Sequence, residues 1–224
     1  MKVLHLDTNH PLLIEDQFHW EQLQSILISE GYQSDSEFLD DIEHLVISSS
    51  YALNQLCRNP GFIKNLKTLV QFELEQSSLV NACEYAEDIA NVQKILRLHR
   101  HNKLIQIIFL DVIKKTPVKQ ILVHLSDLAD QLIRCALLTA EKQLVKKHGQ
   151  PLDTDGNPIS LNIIAMGKLG GQELNFSSDI DLICSYPNEG DLEGFGHLSY
   201  HEFFTRVVRL FTKLLNDTTE DGFV

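Results

Sequence analysis

The sequence predicts an α+β fold: a helical N-terminal region over residues 1–150, then a small mixed β-sheet flanked by helices over residues 151–224. Three observations predict it. Apolar residues recur at helical spacing through most of the first region. The turn-rich stretch PLDTDGNP, Pro151 to Pro158, then interrupts that pattern and marks the expected domain boundary. Beyond it lie two short runs of strand character, Leu161 to Met166 and Asp179 to Cys184, followed by one more amphipathic helix.

The first clear helix signal is Ser34-Asp35-Ser36-Glu37, a capping box, after which Phe38, Ile42, Leu45, Val46 and Ser49 fall on one face. Asn59-Pro60-Gly61 should end that helix. A shorter helix is expected from Phe62, and a longer one from Leu79 to Lys115. The end of the latter, Leu104 to Val112, is so apolar that periodicity alone leaves a strand open. The best-marked helix comes next. Thr116 can cap it, and Pro117 suits the first helical position. Ile121, Leu125, Leu128, Leu132 and Ala136 form its apolar stripe, while Lys146, Lys147 and His148 sit in the last turn, favourable for the macrodipole. Gly149 fits the position just past its end. After the two strand runs, a loop from Asn188 to Leu198 leads to a second capping box, Ser199-Tyr200-His201-Glu202, and a helix expected to bury Phe203, Val207, Leu210, Phe211 and Leu214. Gly222-Phe223-Val224 reads as the start of a strand, so the sheet is expected to be incomplete there.

Composition excludes several function classes. A formal net charge of −12 disfavours DNA or RNA as the main partner, because a phosphate backbone repels an acidic surface. Small nucleotides, divalent cations and protein partners remain open. Cys57, Cys83, Cys135 and Cys184 stand far apart with no C-x-x-C pair, which argues against structural zinc and a disulfide framework. No basic-then-apolar leader and no membrane-length apolar run is present in these residues, and the expected location is cytoplasmic. Asp153 to Asn157 has a superficial likeness to a calcium loop, but with Gly156 at the sixth position the first and twelfth ligand positions fall on Pro151 and Asn162.

Met166 to Ile183, MGKLGGQELNFSSDIDLI, carries the chemistry. In an extended strand Asp179 and Asp181 project to the same side, while Ile180, Leu182 and Cys184 project into a core. Two carboxylates held side by side repel unless a cation sits between them. Gly170-Gly171 lies ahead of a polar segment that can begin a short helix, and a glycine pair at a helix N-terminus suits phosphate. Separately, each feature has an ordinary reading: a solvated edge strand for the acids, a turn for the glycines. In the order strand, glycine pair, short helix, Asp-x-Asp strand, they describe a metal-dependent nucleotidyl-transfer site. A P-loop is excluded, since no G-x-x-x-x-G-K-[ST] occurs, and Gly167 to Gly171 fails the dinucleotide fingerprint.

This arrangement resembles the nucleotidyltransferase fold of the DNA polymerase beta superfamily. More specifically, MGKLGGQELNFSSDIDLI is similar to the signature of the bifunctional glutamine synthetase adenylyltransferase/adenylyl-removing enzyme family. The similarity extends to Tyr186-Pro187, to HEFFTRVVRLFTKLL at His201 to Leu215, and to Asp221-Gly222-Phe223-Val224. Upstream, Arg97-Leu98-His99-Arg100 and the helix before His148-Gly149 fall where that family carries an arginine-rich segment and a long helix. Asn175-Phe176-Ser177-Ser178 before the Asp-x-Asp matches the family's N-terminal half, which removes AMP from a tyrosine of glutamine synthetase by phosphorolysis and releases ADP.

The resemblance implies that Asp179 and Asp181 ligate Mg²⁺, and that Gly170, Gly171, Ser177, Ser178 and Lys168 contact phosphate. It implies glutamine synthetase, ATP, ADP, AMP and inorganic phosphate as partners, with a PII-type regulatory protein as a further one. Two departures stand out. Gln172 occupies a position where the family usually has arginine, and the family's third active-site carboxylate is expected beyond Val224, so these 224 residues alone are expected to be inactive or nearly so. Two alternatives remain: another polymerase-beta-like nucleotidyltransferase, and a catalytically silent module that binds glutamine synthetase or its regulator.

Overall fold

The computed structural model describes residues 11–29, 31, 36–67, 76–86, 88–192 and 198–217. The start of the first capping box, part of the 188–198 loop and the Asp221–Val224 end lie outside the described residues. Nine helices and four short strands are found among the described residues, in two compact units: residues 1–73 with 101–121, and residues 74–100 with 122–224.

The first unit contains α1 (Pro11–Ser29), α2 (Ser36–Ser48), α3 (Ser50–Arg58) and α4 (Phe62–Lys67). It shares α6 (Ile89–Val112) and the start of α7 (Val118–His148) with the second. Leu23 and Leu27 of α1, Ile42 and Leu45 of α2, Leu56 of α3, Ile63 of α4 and Ile105 of α6 are fully or almost fully buried in one apolar cluster. The Phe38, Ile42, Leu45 and Val46 stripe faces this cluster as its spacing requires. Ser49 does not continue the stripe. Its extended backbone (φ −150°, ψ 104°) and its hydroxyl, which accepts from the Ala52 amide at 3.2 Å, make it the N-cap of α3. In a Ser-Ser-Ser run the hydroxyls compete with the helix ladder, so one expected helix becomes two. Helix α3 then stops at Asn59, ahead of Pro60.

A similar cap divides the long helix expected from Leu79 to Lys115. Asp88 accepts from the Asn91 amide at 2.8 Å and opens α6 behind the shorter α5 (Gln76–Glu84). Leu104 to Val112 is helical.

In the second unit Arg97 of α6 is fully buried. It donates to the carbonyls of Gln93 and Asp217, while the Gln93 amide reaches the Lys213 carbonyl at 3.0 Å. Together they satisfy backbone acceptors that the end of α9 (Tyr200–Asn216) leaves open. The α7 stripe is buried throughout, and Gly149 comes after that helix at φ 93°, a left-handed turn that glycine adopts freely. Cys83 of α5 and Cys135 of α7, distant in sequence, are both buried free thiols; Cys135 donates to the Leu79 carbonyl, and the neighbouring Cys83 together with burial pushes the Cys135 thiol pKa up.

The Pro151–Pro158 segment is a closed turn. Its Asp153 carboxylate accepts from the Asp155 and Asn157 amides, and Tyr200 bonds both backbone groups of Leu152. Strands β1 (Asn162–Ala165) and β2 (Leu182–Ser185) pair antiparallel, with Ile164 opposite Ile183. Strands β3 (Asp191–Leu192) and β4 (Leu198–Ser199) form a second antiparallel pair. The α+β class holds. Within it, the described strands make antiparallel pairs where a mixed sheet was expected, because the four-residue α8 (Gly167–Gly170) and the turn after it bring the chain back beside β1. Helix α9 opens with the expected capping box and buries Phe203, Val207, Phe211 and Leu214, with Phe204 buried and Leu210 only in part. Among the described residues, no helix is long and apolar enough to cross a membrane.

Candidate functional site

The segment between β1 and β2 is arranged around α8. Met166 is its N-cap residue, and the Met166 amide donates to the Asp181 carbonyl at 2.9 Å. That bond continues the β1–β2 ladder by one step and seats Asp181 beside the start of α8. Asp179 and Asp181 therefore precede the strand proper, which begins at Leu182. Both are exposed. The apolar residues expected beneath them are not a closed core: Ile180 is exposed, and Leu182 and Cys184 are half-buried. A two-stranded sheet has too little surface to bury either face fully.

Neither carboxylate has a hydrogen-bond or ion-pair partner among the described residues, whereas Asp130, Asp153 and Glu141 all do. Among those residues, no group of three or more His, Cys, Asp or Glu is arranged to hold a metal ion. The candidate donor set is thus the Asp179–Asp181 pair, hard oxygens free of internal competition, which suits Mg²⁺.

The glycines have different roles from those expected. Gly170-Gly171 lies at the C-terminal end of α8, with the Gly170 amide donating to Met166 and the Gly171 amide to Gly167. Amides already engaged inside a turn cannot cradle a phosphate. Gly170 is instead required by close approach, since a Cβ there would lie 2.5 Å from the Ala165 carbonyl oxygen. Gly167 is required by its backbone, at φ 56°. The polar segment after the glycines is expected to begin the short helix, whereas the helix ends at them. In the structure Gln172 adopts a left-handed conformation (φ 56°) that ends the turn.

Two of the expected phosphate-contacting side chains do meet. Lys168 Nζ donates to Ser178 Oγ at 3.1 Å, and Ser178 Oγ donates to Asn175 Oδ1 at 2.6 Å. Asn175 Oδ1 also accepts from the Ser177 amide, forming an Asx turn that delivers the chain to Asp179. The Ser177 side chain is exposed next to this pair.

Sequence reasoning missed the support from α7. The Ser126 hydroxyl accepts from the Leu174 amide at 3.1 Å, the Asp130 carboxylate accepts from the Gln172 amide group at 3.2 Å, and Glu141 accepts from the Leu161 amide at 2.7 Å. Burial pushes the Glu141 carboxyl pKa up against that last bond, and burial likewise raises that of Asp130. The spacing of four between Ser126 and Asp130 was the available signal, two polar positions on one helix face.

A family model described as glutamate-ammonia ligase adenylyltransferase matches residues 39–224. Curated relatives named bifunctional glutamine synthetase adenylyltransferase/adenylyl-removing enzyme are similar to most of the chain. The protein from Shewanella loihica is 34% identical over 92% of this chain and 22% of its own length. The one from Shewanella oneidensis is 34% identical over 96% of this chain and 23% of its own. That from Mannheimia haemolytica reaches 40% over 64% of this chain and 16% of its own. The chain thus spans about a fifth of the length of the relatives it matches.

Proposed function

Because the chain belongs to the glutamate-ammonia ligase adenylyltransferase family, we propose that it carries a metal-dependent nucleotidyl-transfer site acting on glutamine synthetase. The reaction proposed is phosphorolysis: inorganic phosphate attacks the phosphorus of an adenylylated tyrosine, the tyrosyl oxygen leaves, and ADP is released. The Asn175-Phe176-Ser177-Ser178 sequence supports this direction over addition of AMP from ATP.

One observation carries the reading. Asp179 and Asp181 are exposed and without partners among the described residues, in the chain next to Ser178, which accepts one bond from the Lys168 ammonium and leaves that ammonium with donors to spare for phosphate oxygens. Held by the two carboxylates, Mg²⁺ would supply charge neutralisation for a phosphoryl group undergoing in-line displacement. Lys168 brings a positive charge and several donors, and the Ser178 hydroxyl is oriented by Asn175. Ser177 extends the same polar edge. Gly170 and Gly171 contribute by letting α8 pack tightly onto β1 and turn.

Glutamine synthetase, adenine nucleotides and phosphate are the partners of this reading, with a PII-type protein as regulator, and such a substrate places the work in the cytoplasm. The test measures ADP release from adenylylated glutamine synthetase by a full-length family protein carrying this segment. Release should require both Mg²⁺ and phosphate and should be abolished by Asp179→Asn or Asp181→Asn. Near-normal release from either variant would overturn the assignment.

A further inference from the structure

Ser126 is fully buried on α7, far in sequence from the acidic pair, and its hydroxyl is used twice. It donates to the Leu122 carbonyl at 2.9 Å, one turn back on its own helix, which leaves its oxygen lone pair directed to the Leu174 amide. Leu174 is itself buried. One turn further along α7, Asp130 holds the Gln172 side chain. The loop leaving α8 is therefore fastened to α7 at two successive points, an inner one at Ser126 and an outer, exposed one at Asp130.

The residues just after Leu174 give the anchor its importance. Asn175 is the next residue, and its side chain organises Ser177 and Ser178, which in turn meet Lys168. Asp179 comes directly after. Within β1–α8–β2 the backbone bond between Met166 and Asp181 fixes the far end of this segment. Among the described residues, the near end is held by the α7 contacts and the turn of α8.

We infer that Ser126 is a positioning residue for the acidic site: its hydroxyl fixes Leu174, and through the Asn175 turn sets where Ser178 and Asp179 stand. The role rests on the reading of Asp179 and Asp181 as the cation-binding pair, but its structural half is testable without it. Losing a contact that orients a metal ligand commonly changes metal affinity by about ten- to a hundredfold.

The experiment compares the chain with Ser126→Ala, Ser126→Thr and Asp130→Ala, using amide hydrogen exchange and Mn²⁺ titration monitored by electron paramagnetic resonance. Ser126→Ala leaves a buried amide without its acceptor, so exchange should accelerate by about tenfold or more at Leu174. The inference requires the same acceleration at Ser177 and Ser178, with α7 and α9 unchanged. Mn²⁺ binding should weaken by about tenfold. Ser126→Thr keeps the hydroxyl and should restore both readouts, and Asp130→Ala should have a smaller effect. Acceleration confined to Leu174, or a lower melting temperature with Ser177, Ser178 and Mn²⁺ affinity unmoved, would overturn the inference and leave Ser126 a stability residue. If Asp179→Asn leaves Mn²⁺ binding intact, the cation site itself fails, while the exchange pattern still decides whether Ser126 holds the loop.

Discussion

In the cluster formed by α1 to α4, Leu23, Ile42, Leu45 and Leu56 are completely buried among other apolar side chains. Between Asn162 and Ser185 only Leu169 comes close to that state and Leu174 is buried less completely, while Ile164 remains 52 % exposed. The first region is stabilised by apolar area removed from water, roughly proportional to the surface covered. The second is held by a short ladder, a close glycine approach and polar anchors from α7. The carboxylates of its two acids, Asp179 and Asp181, take no part in that scaffold among the described residues, although the Asp181 carbonyl does. Buried polar groups are recruited into internal bonds, whereas exposed carboxylates such as these need none and stand open to water or a ligand.

Substitution should separate the two kinds of construction. Leu45→Ala removes a fully buried side chain from the helical cluster and should lower the unfolding free energy by about 2–5 kcal/mol in urea titration. A loss below about 1 kcal/mol would mean the cluster is not a packed core. In the site segment, Gly170→Ala should cost about 1–3 kcal/mol because its new methyl meets backbone and not a mobile side chain. Gly171→Ala has no contact nearer than 3.6 Å and φ −88°, so it should be close to neutral. Equal effects of the two would contradict the reassigned glycine roles.

A smaller effect is expected at the break between α2 and α3. Ser49→Ala removes an N-cap bond and should cost about 1 kcal/mol, measured as a lower thermal midpoint. No change would return Ser49 to the stripe where its spacing first put it.

The difference also explains what could be read from sequence. The stripes of α2, α7 and α9 were legible because burial at a period of 3.6 leaves a pattern in the residues themselves. The α9 capping box was legible for the same reason, its donor and acceptor lying three residues apart. Motif order singled out Asp179, Asp181, Lys168 and Ser178 as candidates, and the structure brings Lys168 and Ser178 together. Ser49 and Asp88 misled because a polar residue inside a periodic run can be either a solvated helix position or a cap. The position of α8 relative to Gly170-Gly171 was misread because a glycine pair serves either end of a helix, and the left-handed Gln172 that decides it leaves no sequence signal. The spacing of Ser126 and Asp130 marks a polar helix face, but their partners Leu174 and Gln172 are set by tertiary packing and leave no trace in the sequence.

The smallest expected effect concerns pH. Burial raises the Glu141 carboxyl pKa above its ordinary value of 4.5, opposed by the Leu161 amide. A raised folded-state pKa means that the folded protein binds the proton more tightly than the unfolded chain. That contribution to stability is complete below the unfolded pKa and fades as pH rises through the folded one. Glu141→Gln keeps an acceptor for Leu161 but cannot titrate. The stability of the natural protein relative to this variant should therefore increase on acidification from neutrality toward pH 4.5. The opposite slope in paired urea midpoints would show that the Leu161 bond outweighs burial.

The central claim, that Asp179 and Asp181 are kept out of the scaffold in order to hold a divalent cation, is tested most directly by measuring cation affinity and stability on the same samples. Mn²⁺ titration of the natural chain, Asp179→Asn and Asp181→Asn should show binding in the first and a loss of about tenfold or more in each variant. Thermal midpoints without metal should stay equal or rise slightly, since each change removes one member of an exposed like-charged pair. Variants that bind Mn²⁺ as tightly as the natural chain, or that unfold at clearly lower temperature, would show that the acids serve the fold and not a ligand.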